Sequence, residues 1–349
     1  MSHERPGLAT KAGETRERSR KPTAGHPPLP AAMLVDLPNW VGDQMMAMPA
    51  LNRLVQGNRG GETVLHTRPQ MVRFLAAVFP RTRVIASPRK SSPFLSARRS
   101  RENGRRFDVG ITLRNAARGK ILVRLRARWC AGSRGEGAEV LMSAPFEIDR
   151  GRHQVHDADS VLGILGLEAV DPSWCPELPF RLTDEGAAAL KNIGVDCQGA
   201  IGLAPATARG ETKRWPVQCF GELAARLRAR GHESVIVIGP GEKAIAEELR
   251  KAAQYRLPVI GTDMDIAGLA SMAIGLRLLV GNDSGPMQVA ATVGTPVVAL
   301  FGPTDLGRTA PRGSGHRVVS PTTAGDTGMR GISVDEVEAA IVDLVQQYR

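Results

Sequence analysis

Short apolar runs alternate with stretches of helical spacing along most of the chain. Met33-Leu34-Val35-Asp36-Leu37 reads as a buried strand, and a loop from Pro38 to Gly42 leads from it into a helix beginning near Asp43. Pro49 is expected to kink that helix or mark a restart, because a proline removes one N–H from the helical ladder. Val64-Leu65-His66, Arg83-Val84-Ile85 and the stronger run Phe107 to Leu113 read as further strands. Pro172, Pro176 and Pro179 punctuate a connector, after which the alternation restarts. Ala200 to Ala204, Ser234 to Ile238, Leu278 to Val280 and Pro296 to Phe301 read as strands. The spacing of Phe220, Leu223 and Leu227 predicts an amphipathic helix over Val217 to Arg230, with further helices over Pro286 to Val293 and Asp335 to Tyr348.

Strand–helix alternation of this kind implies an α/β protein with parallel sheets. The restart implies two such lobes with a cleft between them. The expected organisation is a disordered tail over 1–30, a first lobe over 31–170, a linker over 171–199 and a second lobe over 200–349. The tail is polar and too poor in apolar residues to order itself. A length of 349 residues, about twice a typical domain of roughly 150, fits two lobes.

Composition narrows the function classes. Aromatic residues make up 4% of the chain, which argues against a stacking platform for single-stranded nucleic acid. Cys130, Cys175, Cys197 and Cys219 have neither CxxC nor metal-site spacing, and are expected to be reduced structural thiols with no metal bound. No apolar run approaches the ~18 residues of a membrane span, and the N-terminus lacks the apolar core of a secretory signal, so a cytoplasmic protein is expected. The net charge of +11 is concentrated between Arg81 and Arg134, where sixteen Lys or Arg face only Glu102 and Asp108. Such a stretch attracts a polyanion: nucleic acid, an anionic membrane face or a phosphorylated substrate.

Four polar loops follow predicted strands, where ligands of open α/β sheets bind. In Asn39-Trp40-Val41-Gly42-Asp43, Gly42 permits a sharp turn. Asp43 there is either a helix N-cap or a general base facing the cleft. Pro205 to Pro216 offers Thr207, Thr212 and Lys213 to a diphosphate, or is a solvated loop with a basic helix start. It is not a Walker loop. Glu242, after Gly239-Pro240-Gly241, suits ribose hydroxyls or simply begins a helix. Asn282-Asp283-Ser284-Gly285 precedes a helix whose N-terminal amides, with Ser284, suit an anion, and Asp283 suits a sugar hydroxyl; a cluster of N-cap residues is the alternative.

Taken together, these segments resemble the heptosyltransferases of glycosyltransferase family 9. The resemblance is carried by Trp40-Val41-Gly42-Asp43, by Thr212-Lys213-Arg214-Trp215-Pro216, by Asn282-Asp283-Ser284-Gly285 with Ala290-Ala291, and by Leu300-Phe301-Gly302-Pro303. Phe107 to Asn115 is similar to the family's buried strand and polar turn. The resemblance implies a GT-B fold, with two Rossmann-like lobes whose parallel sheets face a central cleft. It also implies inverting, metal-independent transfer of heptose from ADP-heptose to the inner core of lipopolysaccharide, without a further cofactor. Asp43 is then the general base and Lys213 a catalytic cation. Thr207, Thr212, Glu242, Asp283, Ser284, Gly285 and Gln288 are the donor side, and Asn39, Trp40, Gly42, Arg114 and Asn115 the acceptor side. The implied partners are a nucleotide sugar and a lipid A–core acceptor, with peripheral contact at the anionic inner-membrane face and no nucleic acid. Gln288 stands where the family usually has histidine, and Pro286 where it often has leucine. That departure supports a second reading, a divergent member that uses another nucleotide sugar or lacks activity. A third reading, a basic nucleic-acid-binding protein, has neither a recognition helix nor a zinc pattern behind it.

Overall fold

The computed structural model describes residues 28–87, 105–207, 211–302, 304–321 and 328–347. Most of the expected tail, and residues 88–104 of the basic stretch, lie outside the described residues.

The first sheet takes its strands in the order β3-β2-β1-β4-β5-β6, all parallel: β1 Met33–Asp36, β2 Thr63–Thr67, β3 Arg83–Ala86, β4 Phe107–Thr112, β5 Ala127–Ser133 and β6 Ala144–Phe146. Its crossovers carry α1 Val41–Gly57, α2 Val72–Val78 and α3 Ala117–Arg126. The side chains of β1 alternate between two cores. Met33 and Val35 join one apolar cluster with Leu65, Val109 and Ile111, and Leu34 joins another with Val64 and Phe107. A strand buried on both faces reads as a continuous apolar run, which is why β1 stands out in the sequence.

The second sheet repeats the plan in the order β12-β11-β10-β7-β8-β9: β7 Ile201–Ala204, β8 Ser234–Val237, β9 Val259–Ile260, β10 Leu278–Asn282, β11 Val297–Leu300 and β12 His316–Val319, again parallel. Between the sheets lie α4 Asp159–Ile164 and α5 Phe180–Asn192. The helices of the second half are α6 Val217–Ala229, α7 Lys243–Ala253, α8 Ile266–Ile274, α9 Gly285–Thr292, α10 Leu306–Thr309 and α11 Val334–Gln347. The stretch expected as a plain linker therefore holds a helix, α5, whose Leu182 joins the first lobe's core beside Ala267 and Ala270 of α8. Two strands of the first sheet, β5 and β6, have no counterpart in the sequence reading.

Helix α1 begins at Val41, earlier than expected, and runs through Pro49 without a restart. Its N-cap is Trp40, with φ −90° and ψ 145°. Asp43 is thus inside the first turn and is not the N-cap.

In both sheets the chain leaves the first strand to build one side, then returns to build the other. The switch falls between β1 and β4 in the first sheet and between β7 and β10 in the second. Loops at such a switch diverge and open a crevice at the strands' carboxyl ends. The loops after β4, β7 and β10 carry Arg114, Lys213 and Asp283, and the loop after β1 leads into the first turn of α1, which carries Asp43.

Candidate active site

Two adjoining cavities occupy the crevice. The larger, about 630 Å³, is lined by Asn39, Trp40, Gly42 and Asp43 of the first lobe and by Thr207, Lys213, Glu242, Asp283, Ser284, Gly285 and Gln288 of the second. The smaller, about 330 Å³, is lined by Arg114, Asn115, Arg150, Asp157 and Arg308. Asn39, Trp40, Asp43 and Gln154 line both. Asp43 therefore stands at the boundary between the larger space and a second, arginine-rich one. Thr212 is exposed and is absent from the lining of either cavity.

The second lobe's wall of the larger cavity is built on β10 and α9. Asn282 is fully buried at the end of β10; its Oδ1 accepts from the Trp215 backbone N–H (3.0 Å) and its Nδ2 donates to the Pro205 carbonyl (2.8 Å). One amide side chain thus pins both ends of the loop that carries Thr207 and Lys213. Trp215 anchors the same loop through the core, donating Nε1–H to the Ile332 carbonyl at 2.9 Å. Lys213 Nζ then meets Asp283 Oδ2 at 2.6 Å. Ser284 occupies the N-cap of α9 without a side-chain capping bond, and among the described residues its buried Oγ has no hydrogen-bond partner. Thr304 Oγ1, also buried and also on the cavity wall, has none either. Buried hydroxyls without partners are rare because each forfeits its hydration. Here two of them line one polar cavity beside a helix N-terminus and a lysine, an arrangement suited to an anionic ligand. Pro286, in the first turn of α9, costs no hydrogen bond, since a first-turn N–H has no helical acceptor. Glu242 begins α7 as its N-cap residue and accepts from the Gly239 N–H at 2.7 Å, so it is a helix-start residue and a cavity wall at once.

Helices α1 and α9 meet at their N-termini. A β-carbon on Gly42 would lie 3.6 Å from Gln288 Cγ, and one on Gly285 would lie 3.5 Å from Val41 Cβ. Gln288 is buried and donates Nε2–H to the Thr309 carbonyl at 2.8 Å.

The first lobe's wall of the smaller cavity rests on a buried network at the ends of β1, β2 and β4. Asp36, fully buried, accepts from Thr112 Oγ1 at 3.0 Å, bonds His66 Nδ1 at 2.7 Å, and forms an ion pair with Arg114, whose Nη2 lies 3.1 Å away. Arg114 Nε also donates to the Leu37 carbonyl at 2.6 Å. Gly119 is obligatory beneath this network, since a β-carbon there would come within 2.3 Å of Thr112 Oγ1 and 2.9 Å of Asp36 Oδ2. Asn115 Oδ1 accepts from Ser133 Oγ at 2.9 Å.

Asp43 Oδ1 accepts from Gln154 Nε2 at 3.2 Å. Among the described residues, Oδ2 has no hydrogen-bond partner, so one carboxylate oxygen is held and the other is open to the cavities. Asp157 lies close by. Burial pushes its carboxyl up, although the Arg308 guanidinium opposes this with two bonds of 2.9 Å. Gln154, Asp157, Arg308 and Thr304 are site residues that the sequence reading missed. Arg308 and Thr304 follow the noted Leu300 to Pro303 segment within a few residues; Gln154 sits in a short turn with no periodic signal.

The basic stretch is only partly a surface. Lys120 is fully buried, with Nζ donating to the Gly137 carbonyl at 2.9 Å and to the Gly135 carbonyl; Arg126 is buried with its guanidinium 5.7 Å from the Phe107 ring centroid. These cations hold β4, β5 and the following loop together and are not offered to a partner. Arg118, Arg124 and Arg128 remain exposed. Cys130 is buried and its thiol is pushed up to about 11 by that burial; none of the four cysteines is bridged. Among the described residues, no helix is long and apolar enough to cross a membrane.

Two all-parallel six-stranded layers, with their ligand loops turned toward one crevice, make a GT-B glycosyltransferase fold. The model of glycosyltransferase family 9 (heptosyltransferase) matches residues 98–328, and the chain belongs to that family. Lipooligosaccharide heptosyltransferase 2 of Campylobacter jejuni serotype O:6 is 24% identical over 289 residues, 80% of this chain and 84% of that protein. Among solved structures, the family 9 glycosyltransferase of Veillonella parvula superposes with a TM-score of 0.82 at 20% identity, over 93% of this chain and 100% of that one. The Escherichia coli ADP-heptose heptosyltransferase II superposes with a TM-score of 0.74 at 21% identity, over 90% and 99%.

Proposed function

We propose that the chain transfers heptose from ADP-heptose to a lipopolysaccharide inner-core acceptor, with inversion at the anomeric carbon, and that Asp43 is the general base. The observation that carries this reading is the position of Asp43 on the shared wall of the two cavities, with one oxygen bonded to Gln154 and the other open. An acceptor hydroxyl in the smaller cavity would lose its proton to that open oxygen while its oxygen attacks the anomeric carbon from the face opposite the departing ADP. The departing diphosphate develops negative charge. Lys213, Ser284, Thr304 and the N-terminus of α9 offset it, so the reading calls on no cofactor or metal.

The donor is the class named in the Escherichia coli neighbour, an ADP-sugar. In this reading the first lobe, 31–170, is the acceptor side and the second, 200–349, the nucleotide-sugar side. Arg114, Arg150 and Arg308 suit an acceptor that carries phosphate or carboxylate groups. The exposed Arg118, Arg124 and Arg128 suit peripheral contact with the anionic cytoplasmic face of the inner membrane.

The deciding experiment incubates the full chain with ADP-heptose and deep-rough lipid A–Kdo acceptor and looks for a heptosylated product by mass spectrometry. Failure to turn over any nucleotide sugar refutes the enzyme reading. Asp43→Asn is expected to abolish transfer while retaining ADP binding by calorimetry, and unchanged transfer would remove Asp43 from the chemistry. The anomeric configuration of the product, read by NMR, tests inversion.

A further inference from the structure

Three consecutive residues of the second lobe touch both sides of the crevice. Arg308 grips the first lobe: its guanidinium bonds both Asp157 oxygens at 2.9 Å and the carbonyls of Arg152 (2.6 Å) and Asp149 (3.3 Å). The Thr309 carbonyl accepts from Gln288, on the donor-side helix α9. The Ala310 carbonyl lies 2.9 Å from His153 Nε2. His153 Nδ1 accepts the Val155 N–H at 3.2 Å, so in the neutral ring the proton sits on Nε2 and that nitrogen donates to Ala310. Burial lowers the pKa of this histidine and so favours the neutral ring.

Between these contacts lies one turn, Gln154–His156, with His153 as its cap. The turn's first residue is the hydrogen-bond donor to Asp43. A primary amide of this kind has several rotamers, and Gln154 is the sole described group bonded to the Asp43 side chain. The backbone that aims it is fastened on both flanks, at His153 and at Asp157, by residues 308–310 of the other lobe.

We infer that Gln154 is a positioning residue for Asp43, and that residues 308–310 place it, so that the base is set in its working orientation only while the two lobes are docked. The inference rests on the reading of Asp43 as the base. Asp43 shares its cavity with Arg114, Arg150, Asp157, Arg308 and Glu136. Gln154 is uncharged, so it orients the carboxylate without competing for the acceptor's proton. Gln288 of α9 bonds the Thr309 carbonyl, and the same segment holds the Gln154 turn, so the helix at the larger cavity and the base's positioning residue share one physical element.

The test uses the full chain with ADP-heptose and the acceptor that supports turnover. Gln154→Met keeps the bulk of the side chain and removes the N–H donor; Gln154→Ala removes both. Each is expected to lower kcat about tenfold, the order of one hydrogen bond to an ionised group, with the KM for donor unchanged. The paired variant Arg308→Gln/Asp157→Asn removes the grip without stranding a charge, and is expected to give the same kcat loss with the donor KM again unchanged. Adding Gln154→Met to it should cost nothing more, since residues that act as one unit are not additive. Gln154 variants with wild-type kcat overturn the inference, as does a lowered Tm with no kinetic change or a loss that falls on the donor KM alone. Losses that multiply when the variants are combined remove residues 308–310 from it. If Asp43→Asn retains turnover, the base reading itself fails; if that variant is inactive while the Gln154 variants are normal, the base stands and the positioning role falls.

Discussion

Replacing Asn282 by Asp exchanges one NH2 group for an oxygen and inverts one hydrogen-bonding role. Oδ1 keeps the Trp215 N–H, but the new oxygen faces the Pro205 carbonyl, which was accepting from Nδ2 at 2.8 Å. Two acceptors then oppose each other at a fully buried position. The carboxyl escapes by keeping its proton and donating it to Pro205, so its folded pKa rises above the ordinary ~3.9. Fully buried carboxyls are raised by up to about 3–5 pH units. At about three units and roughly 1.4 kcal/mol per unit, the cost is about 4 kcal/mol at pH 8. For a lobe of this size that is a Tm deficit of roughly 8–16 °C. The sign follows from proton binding: between the two pKa values the folded variant holds a proton that the unfolded chain has released, so stability falls as pH rises. At pH 5 the deficit should shrink to less than half of its pH 8 value. Differential scanning calorimetry of wild type and variant at both pH values measures this directly. ADP affinity should fall as well, because the loop pinned by Asn282 carries Lys213. A variant as stable as wild type at pH 8, or a deficit that does not narrow toward pH 5, would refute the assignment of Asn282 as the buried tie between these strands and loops.

Ser284→Ala should leave Tm within about 1 °C of wild type, because the hydroxyl has no protein partner to lose, while weakening ADP about tenfold in calorimetry through the lost bond to an anion. Equal affinity would take Ser284 out of the anion site. His153 and His316 are both held below the usual histidine range by burial. Above about pH 6.5 their neutral-state contribution to stability is complete, and it is lost as pH falls through the lowered folded values. Wild-type Tm should therefore rise between pH 5 and 7, and His316→Gln should flatten that rise; an unchanged slope counts against burial of the ring. Gly119→Ala should lower both Tm and kcat by forcing apart Thr112 and Asp36 beneath Arg114, and a variant with wild-type values would contradict the close approach.

Much of the fold was legible because β1, β4, β7, β8, β10 and β11 are buried on both faces and so appear as unbroken apolar runs. Strand β5 was not. Its sequence Ala-Arg-Trp-Cys-Ala-Gly-Ser mixes small residues with an exposed Arg128, and its burial comes from α3 and from Met142, which no local pattern announces. Short β6 and half-exposed β12 are edge strands with equally weak patterning. The donor half of the site was readable for a topological reason, since its motifs sit where strands end. Asp43 was read ambiguously: its place near a helix start was visible, but only the structure puts Trp40 at the cap and turns the carboxylate toward Gln154. Gln154 and Arg308 were invisible because their roles arise from contacts between segments 111 and 151 residues apart. Asn282 was prominent in the sequence as part of a ligand motif, yet both ends of its amide are spent on the protein.

The Lys213–Asp283 ion pair gives the crevice its own counter-ion. A ligand that reaches Lys213 does not find a bare positive charge; it must take the ammonium from a carboxylate already in place, and that exchange offsets much of the attraction an isolated lysine would offer. Free phosphate, with a single contact to gain, has little to offer in return. A diphosphate bears several oxygens and can meet the two idle hydroxyls and the helix end in the same event, and the freed Asp283 is then available to a sugar hydroxyl. Under the proposed function, the built-in counter-ion sets a threshold of simultaneous contacts, one that a diphosphate can meet and a single phosphate cannot.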